Sequence, residues 1–88
     1  MRKILYTIKD PAGIHARPAG MLAKEAKKYN SRIQLQKGEK EASATNLIAV
    51  MGLGLRCGDQ VEIYIEGPDE ENAAEGIQIF LNTLQHLF

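Results

Sequence analysis

From Gln60 to Glu66 the chain alternates without a break, with Val61, Ile63 and Ile65 on one side and Glu62, Tyr64 and Glu66 on the other. Successive side chains of a β-strand point to opposite faces, so this period of two reads as a strand buried on one face and wet on the other. The same spacing recurs between Lys3 and Lys9, through Ile4, Tyr6 and Ile8, and again where Ile33 and Leu35 stand among Arg32, Gln34 and Gln36. Parallel sheets are covered on both faces, whereas antiparallel sheets can leave one face in water. One-sided strands therefore predict an antiparallel sheet with all of its helices on a single side.

The segments between the strands supply that cover. Asp10-Pro11-Ala12-Gly13 breaks the first strand, and a helix-forming run follows from Ala16 to Lys28, closed by Tyr29-Asn30-Ser31. Its expected inward face is Ala16, Ala19, Leu22, Ala23 and Ala26, with Lys24, Lys27 and Lys28 elsewhere. Lys37-Gly38-Glu39 is a hairpin turn into a short strand, Lys40 to Ala44, with Ala42 and Ala44 facing in. Arg56-Cys57-Gly58-Asp59 turns the chain into the Gln60 strand, and Gly67-Pro68 ends it. Asp69, Glu70 and Glu71 then open a last helix, where the dipole favours acids. Ala73, Ile77, Phe80, Leu81 and Leu84 form its inward face, while Asn72, Glu75, Gln78 and Gln85 cover the outside. The order is βαββαβα, an α+β fold with two layers: an open-faced β-sandwich in which three helices cover one face of a four-stranded antiparallel sheet. The 88 residues, 1–88, are read as one domain.

Charge and cysteine usage narrow the function. Eleven basic residues balance eleven acidic ones, which gives no electrostatic footprint for nucleic acid and no pull toward an anionic membrane. Tyr6, Tyr29 and Tyr64 are scattered rather than arrayed for base stacking. Cys57 stands alone, so no internal disulfide forms, and two histidines make a closed metal site improbable. No cofactor motif is present. The N-terminal run has no apolar core long enough for a signal peptide, and no segment approaches a membrane span. A cytoplasmic, monomeric protein is expected, with proteins or small molecules as partners.

Two stretches carry chemistry. The first is Gly13-Ile14-His15-Ala16-Arg17-Pro18-Ala19-Gly20, which puts a histidine where the first long helix begins. The first N–H groups of a helix have no partner inside it, and the macrodipole places positive charge at that end, so anions are stabilised there. Pro18 fits the first turn because it has no N–H to orphan. Arg17 adds a planar fork suited to phosphate or carboxylate, next to an imidazole that can act as a nucleophile. A lone histidine at a helix start is also a common capping residue, so this motif alone does not decide. The second stretch is Asn46-Leu47-Ile48-Ala49-Val50-Met51-Gly52-Leu53-Gly54-Leu55. Asn46 can cap a helix and the glycines can end it, but a helix apolar all round cannot be enclosed by so small a domain. Some of Leu47, Ile48 and Met51 should be exposed as a docking surface.

Taken together, the histidine motif, the run Leu47 to Gly54, and Gly58-Asp59 followed by Gly67-Pro68-Asp69-Glu70-Glu71 resemble the HPr family, the histidine-containing phosphocarriers of the phosphoenolpyruvate-dependent sugar phosphotransferase system. The resemblance spans nearly the whole chain and implies strand order 1-4-2-3. It also implies that His15 accepts a phosphoryl group on Nδ1 from phosphorylated enzyme I and passes it to a sugar-specific IIA protein or domain. The protein would thus be a carrier, not a turnover enzyme. Arg17 and the backbone amide of Ala16 would hold the phosphate, and Ile14, Gly20, Met21, Leu47, Ile48 and Met51 would form the surface on which partners dock. The physics of the stretch agrees. A nucleophilic histidine must be neutral, and the positive helix end disfavours the imidazolium before transfer and stabilises phosphate charge after it.

The chain departs from the family pattern in two places. Asn46 stands where kinase-regulated members carry serine; it can cap the helix but cannot be phosphorylated, so no serine-type regulation is expected at that cap. Ala12 replaces the Asn or Ser often found before the glycine, removing a side chain that could orient the imidazole. Ile48-Ala49 and Gly67-Pro68 also resemble the nitrogen-branch paralogue of HPr, so the sequence is compatible with either branch. The competing class is a regulatory docking module that uses the apolar patch without phosphoryl relay. His15 followed by Arg17 favours the carrier, because a docking module needs neither. His86, Cys57, Ser43 and Thr45 lack the partners that nucleophilic chemistry requires and are read as incidental.

Overall fold

The alternating segments do become strands of one sheet. In the computed structural model the elements are β1 (Arg2–Thr7), α1 (Ala16–Ala26), β2 (Arg32–Lys37), β3 (Lys40–Ser43), α2 (Leu47–Met51), β4 (Gln60–Glu66) and α3 (Glu70–Gln85). The structure describes residues 1–11, 13–14 and 16–85. Ala12, His15, His86, Leu87 and Phe88, and the side chain of Gln85, lie outside the described residues, and so do the expectations for them. The sheet order is β1-β4-β2-β3, the order the family resemblance implies, and each neighbouring pair is antiparallel, as the alternation predicts.

The register explains the one-sided burial. Ile4 pairs with Ile63, Ile63 with Leu35, and Leu35 with Ala42, so one row of apolar side chains crosses all four strands on the same face. Ile33, Leu35, Val61, Ile63 and Ile65 are buried there beneath Ala19, Leu22 and Ala26 of α1 and Ala73, Ile77 and Leu81 of α3. The opposite face carries Lys3, Glu62, Tyr64 and Gln34, with Lys3 paired to Glu62 at 2.8 Å. Ala44 lies just past β3 but is buried, and its N–H donates to Ile33.

Some boundaries differ from the sequence reading for identifiable reasons. Ile8 is buried but has left the ladder: its N–H donates to Asp59 and its carbonyl accepts from Gly58, so it bonds a loop rather than a strand. Helix α1 ends at Ala26 because Lys28 and Tyr29 donate three residues back, to Glu25 and Ala26, which tightens the last turn. Ala16 is exposed rather than inward, and Pro18 is buried in its place. Pro18 lines a small apolar cavity of about 20 Å³ together with Ile14, Phe80 and Leu84, so the first turn meets α3 through Pro18 rather than Ala16.

Two polar contacts tie the helices to each other and to the sheet. Asp69, just before α3, accepts from the Asn30 N–H at 2.8 Å and from the Ser31 hydroxyl, and these bonds, the hydroxyl's foremost, hold its carboxyl below the usual range. The Tyr29 hydroxyl donates to Glu25 at 2.8 Å and rests against Gly76 of α3. Burial, reinforced by that bond, pushes the Tyr29 phenol up to about 12. A Cβ at position 76 would overlap the phenol, which accounts for a glycine inside a helix where alanine is intrinsically better by roughly 1 kcal/mol. Gly76→Ala should lower stability by about 1–3 kcal/mol despite that propensity gain. In Tyr29→Ala the same substitution should become neutral or stabilising, as read by denaturant melts of the four variants in the cycle.

Candidate functional site

Helix α1 begins at Ala16, the residue that follows His15 in the chain. By helix geometry the N–H groups of Ala16 and Arg17 have no acceptor within α1, and Pro18 has none to offer. Arg17 is exposed, and among the described residues its guanidinium forms no ion pair. A positive helix end and an exposed guanidinium therefore lie next to His15 in sequence. His15 itself, expected as the phosphoryl acceptor, lies outside the described residues.

The backbone leading into this turn is anchored tightly. Gly13 is buried with φ +73, and a Cβ there would overlap the carbonyl oxygen of Leu55. The same oxygen accepts from the Ile14 N–H at 3.0 Å, and the Gly13 N–H donates to Asp10 at 2.8 Å. Glycine is required twice over, for a left-handed backbone and for close approach of two chains. Asp10 is buried and Ile14 packs partly against the core.

The partner surface expected from the sequence is distributed as follows. Helix α2 packs on α1. Asn46 caps α2 with its side-chain oxygen accepting from the Ala49 N–H at 3.1 Å, the cap expected of it. Val50, Leu53 and Leu55 take the buried positions, leaving Ile48 75% and Met51 40% exposed and Leu47 half-buried. Ile14, Gly20 and Met21 are half-buried. Beyond its own stretch of helix backbone, no described heavy atom lies within 4 Å of a Cβ built on Gly20, so packing against the rest of the chain does not explain that glycine.

Missing from the sequence reading is the loop between α2 and β4. Leu55, Gly58 and Asp59 all bond the segment that precedes His15, and no local pattern in Arg56-Cys57-Gly58-Asp59 signals more than a turn. Among the described residues no group of three or more His, Cys, Asp or Glu could hold a metal ion, and no helix is long and apolar enough to cross a membrane.

The element order and the sheet order together define an open-faced α+β sandwich. Residues 3–83 match the family model described as the PTS HPr component phosphorylation site. The chain is 39% identical over 84 residues to the phosphocarrier protein HPr of Lysinibacillus sphaericus, covering 96% of each chain. It is 41% identical over 86 residues to that of Mycoplasma pneumoniae, covering 97% of this chain and 98% of the other. Among solved structures, a mycoplasma histidine-containing phosphocarrier protein superposes with a TM-score of 0.91 at 32% identity over 96% of each chain. HPr from Thermoanaerobacter tengcongensis gives 0.89 at 31% identity, over 98% of this chain and 97% of that one. The chain belongs to the HPr family of the phosphotransferase system. It is a phosphocarrier, not a turnover enzyme.

Gly13→Ala tests the anchor beneath the site. It should cost about 2–4 kcal/mol in stability through left-handed strain and displacement of Leu55. Thermal melts read the loss, and amide exchange should place the largest local loss of protection at Ile14.

Proposed function

We propose that His15 accepts a phosphoryl group from phosphorylated enzyme I and donates it to a IIA protein or domain, acting as a monomer in the cytoplasm. The observation that carries this reading is the near full-length match to HPr phosphocarriers, with His15 as the residue before α1 and Arg17 in its first turn. Transfer needs a neutral imidazole. The positive end of α1 disfavours a proton on His15 before transfer and favours the phosphate dianion afterwards. Arg17 and the Ala16 amide supply charge-assisted hydrogen bonds to phosphate oxygens. One exposed guanidinium, rather than a cage of charges, would hold the group without trapping it, which a relay requires.

Docking is assigned to Ile14, Gly20, Met21, Leu47, Ile48 and Met51. Exposed Ile48 and Met51 on α2, which packs on α1, suit partners that present an apolar patch. A docking module without relay would use the same patch but would have no use for Arg17 next to His15.

Incubation with phosphoenolpyruvate and enzyme I should add one acid-labile phosphate, seen by intact mass, and His15→Ala should abolish it. No gain with an active enzyme I would overturn the carrier reading. Sugar-branch and nitrogen-branch donors offered in parallel assign the branch. Ile48→Glu should raise KM for enzyme I roughly tenfold with kcat little changed, because it removes an apolar contact and buries a charge at the interface without touching the reacting atoms. Steady-state transfer kinetics separate the two constants.

A further inference from the structure

The segment from Ile8 to Ile14 leads directly to His15, and it is held at both ends by one loop. The Ile8 N–H donates to Asp59 at 2.9 Å, the Gly58 N–H donates to Ile8 at 2.8 Å, and the Ile14 N–H donates to Leu55 at 3.0 Å. The Cys57 thiol adds a weak contact to the Lys9 carbonyl at 3.7 Å. The loop from Gly54 to Asp59 thus holds both Ile8 and Ile14, the described ends of the segment that precedes His15 in the chain.

That loop is itself clasped from the sheet. Lys37, the last residue of β2, places its Nζ 2.8 Å from a carboxylate oxygen of Asp59 and 3.2 Å from the carbonyl oxygen of Gly54, and so spans the loop from its first residue to its last. The same Asp59 oxygen accepts from the Arg56 N–H at 2.9 Å, which closes the turn internally. Leu55, whose carbonyl carries both the Ile14 bond and the close contact with Gly13, lies inside the clasp.

We infer that Lys37 is a positioning residue for phosphoryl transfer: with Asp59 and the Gly54 carbonyl it fixes the loop that sets the backbone before His15. The inference rests on His15 being the acceptor. The Lys37 and Asp59 side chains are 35% and 31% exposed. Pairs this exposed add little to global stability, whereas a small misplacement of a reacting group costs rate steeply. Loss of the clasp should therefore show in transfer far more than in melting.

The test uses the full chain with phosphoenolpyruvate and enzyme I. Lys37→Met should reduce kcat for phosphoryl acceptance by about five- to tenfold with KM within about twofold, while Lys37→Arg, which keeps the charge and donors, should stay within about twofold of wild type in both. Amide exchange at Ile14 should accelerate several-fold in Lys37→Met at nearly unchanged melting temperature. Asp59→Asn should show the same kcat loss, and the double variant no further loss, since both break one clasp. If wild type accepts phosphate and Lys37→Met matches it in kcat and in Ile14 exchange, the clasp has no positioning role and the carrier reading stands. If Lys37→Met loses rate only in proportion to its folded fraction, or Asp59→Asn transfers at the wild-type rate, the inference is likewise overturned. If wild type gains no phosphate, the carrier reading fails and this inference with it.

Discussion

Everything in this molecule depends on burying one face of the sheet. Strand β4 lies between β1 and β2 and contributes Val61, Ile63 and Ile65, all buried. Because its side chains alternate, a one-residue slip would place that set in water and bury Glu62, Tyr64 and Glu66 instead. The register is therefore locked by the hydrophobic effect rather than by any one hydrogen bond. The helices follow, since α1 and α3 are the long amphipathic elements among the described residues that cover that face.

The register also places the site. Thr7 at the end of β1 pairs with Gln60 at the start of β4. The segment after β1 and the segment before β4 consequently leave the sheet at the same edge, and the bonds among Ile8, Ile14, Leu55, Gly58 and Asp59 join them. The Gly13–Leu55 contact, between residues far apart in the chain, thus follows from the antiparallel β1–β4 pair. The bonds at Gly13 and Ile14 fix the described backbone that precedes His15 in the chain, while Ile48 and Met51 stay exposed.

Helix α2 shows how little local structure such a face requires. It has five residues, too few to be stable alone, and is held by the Asn46 cap, by Val50 in the core and by its contact with α1. With Val50, Leu53 and Leu55 taken into the core, Ile48 is left on the outside. Its exposure is the geometric remainder of packing an all-apolar run against a small core, and the carrier reading gives that remainder a use.

The strands, the helices, their order and the Asn46 cap were legible because each is written in local periodicity or capping chemistry. The one-sided alternation of Val61, Ile63 and Ile65 determined an antiparallel sheet covered on one side, and the residues around His15 pointed to a phosphate-handling helix start. Where elements touch was not legible. That Pro18 rather than Ala16 is buried, that Tyr29 needs a glycine at position 76, and that Lys37 reaches Gly54 and Asp59 are decided between segments far apart in the chain. Local sequence carries the period of a strand and the cap of a helix because both arise within a few residues. Only the tertiary structure settles which turn meets which, because that is the outcome of packing the whole apolar face at once.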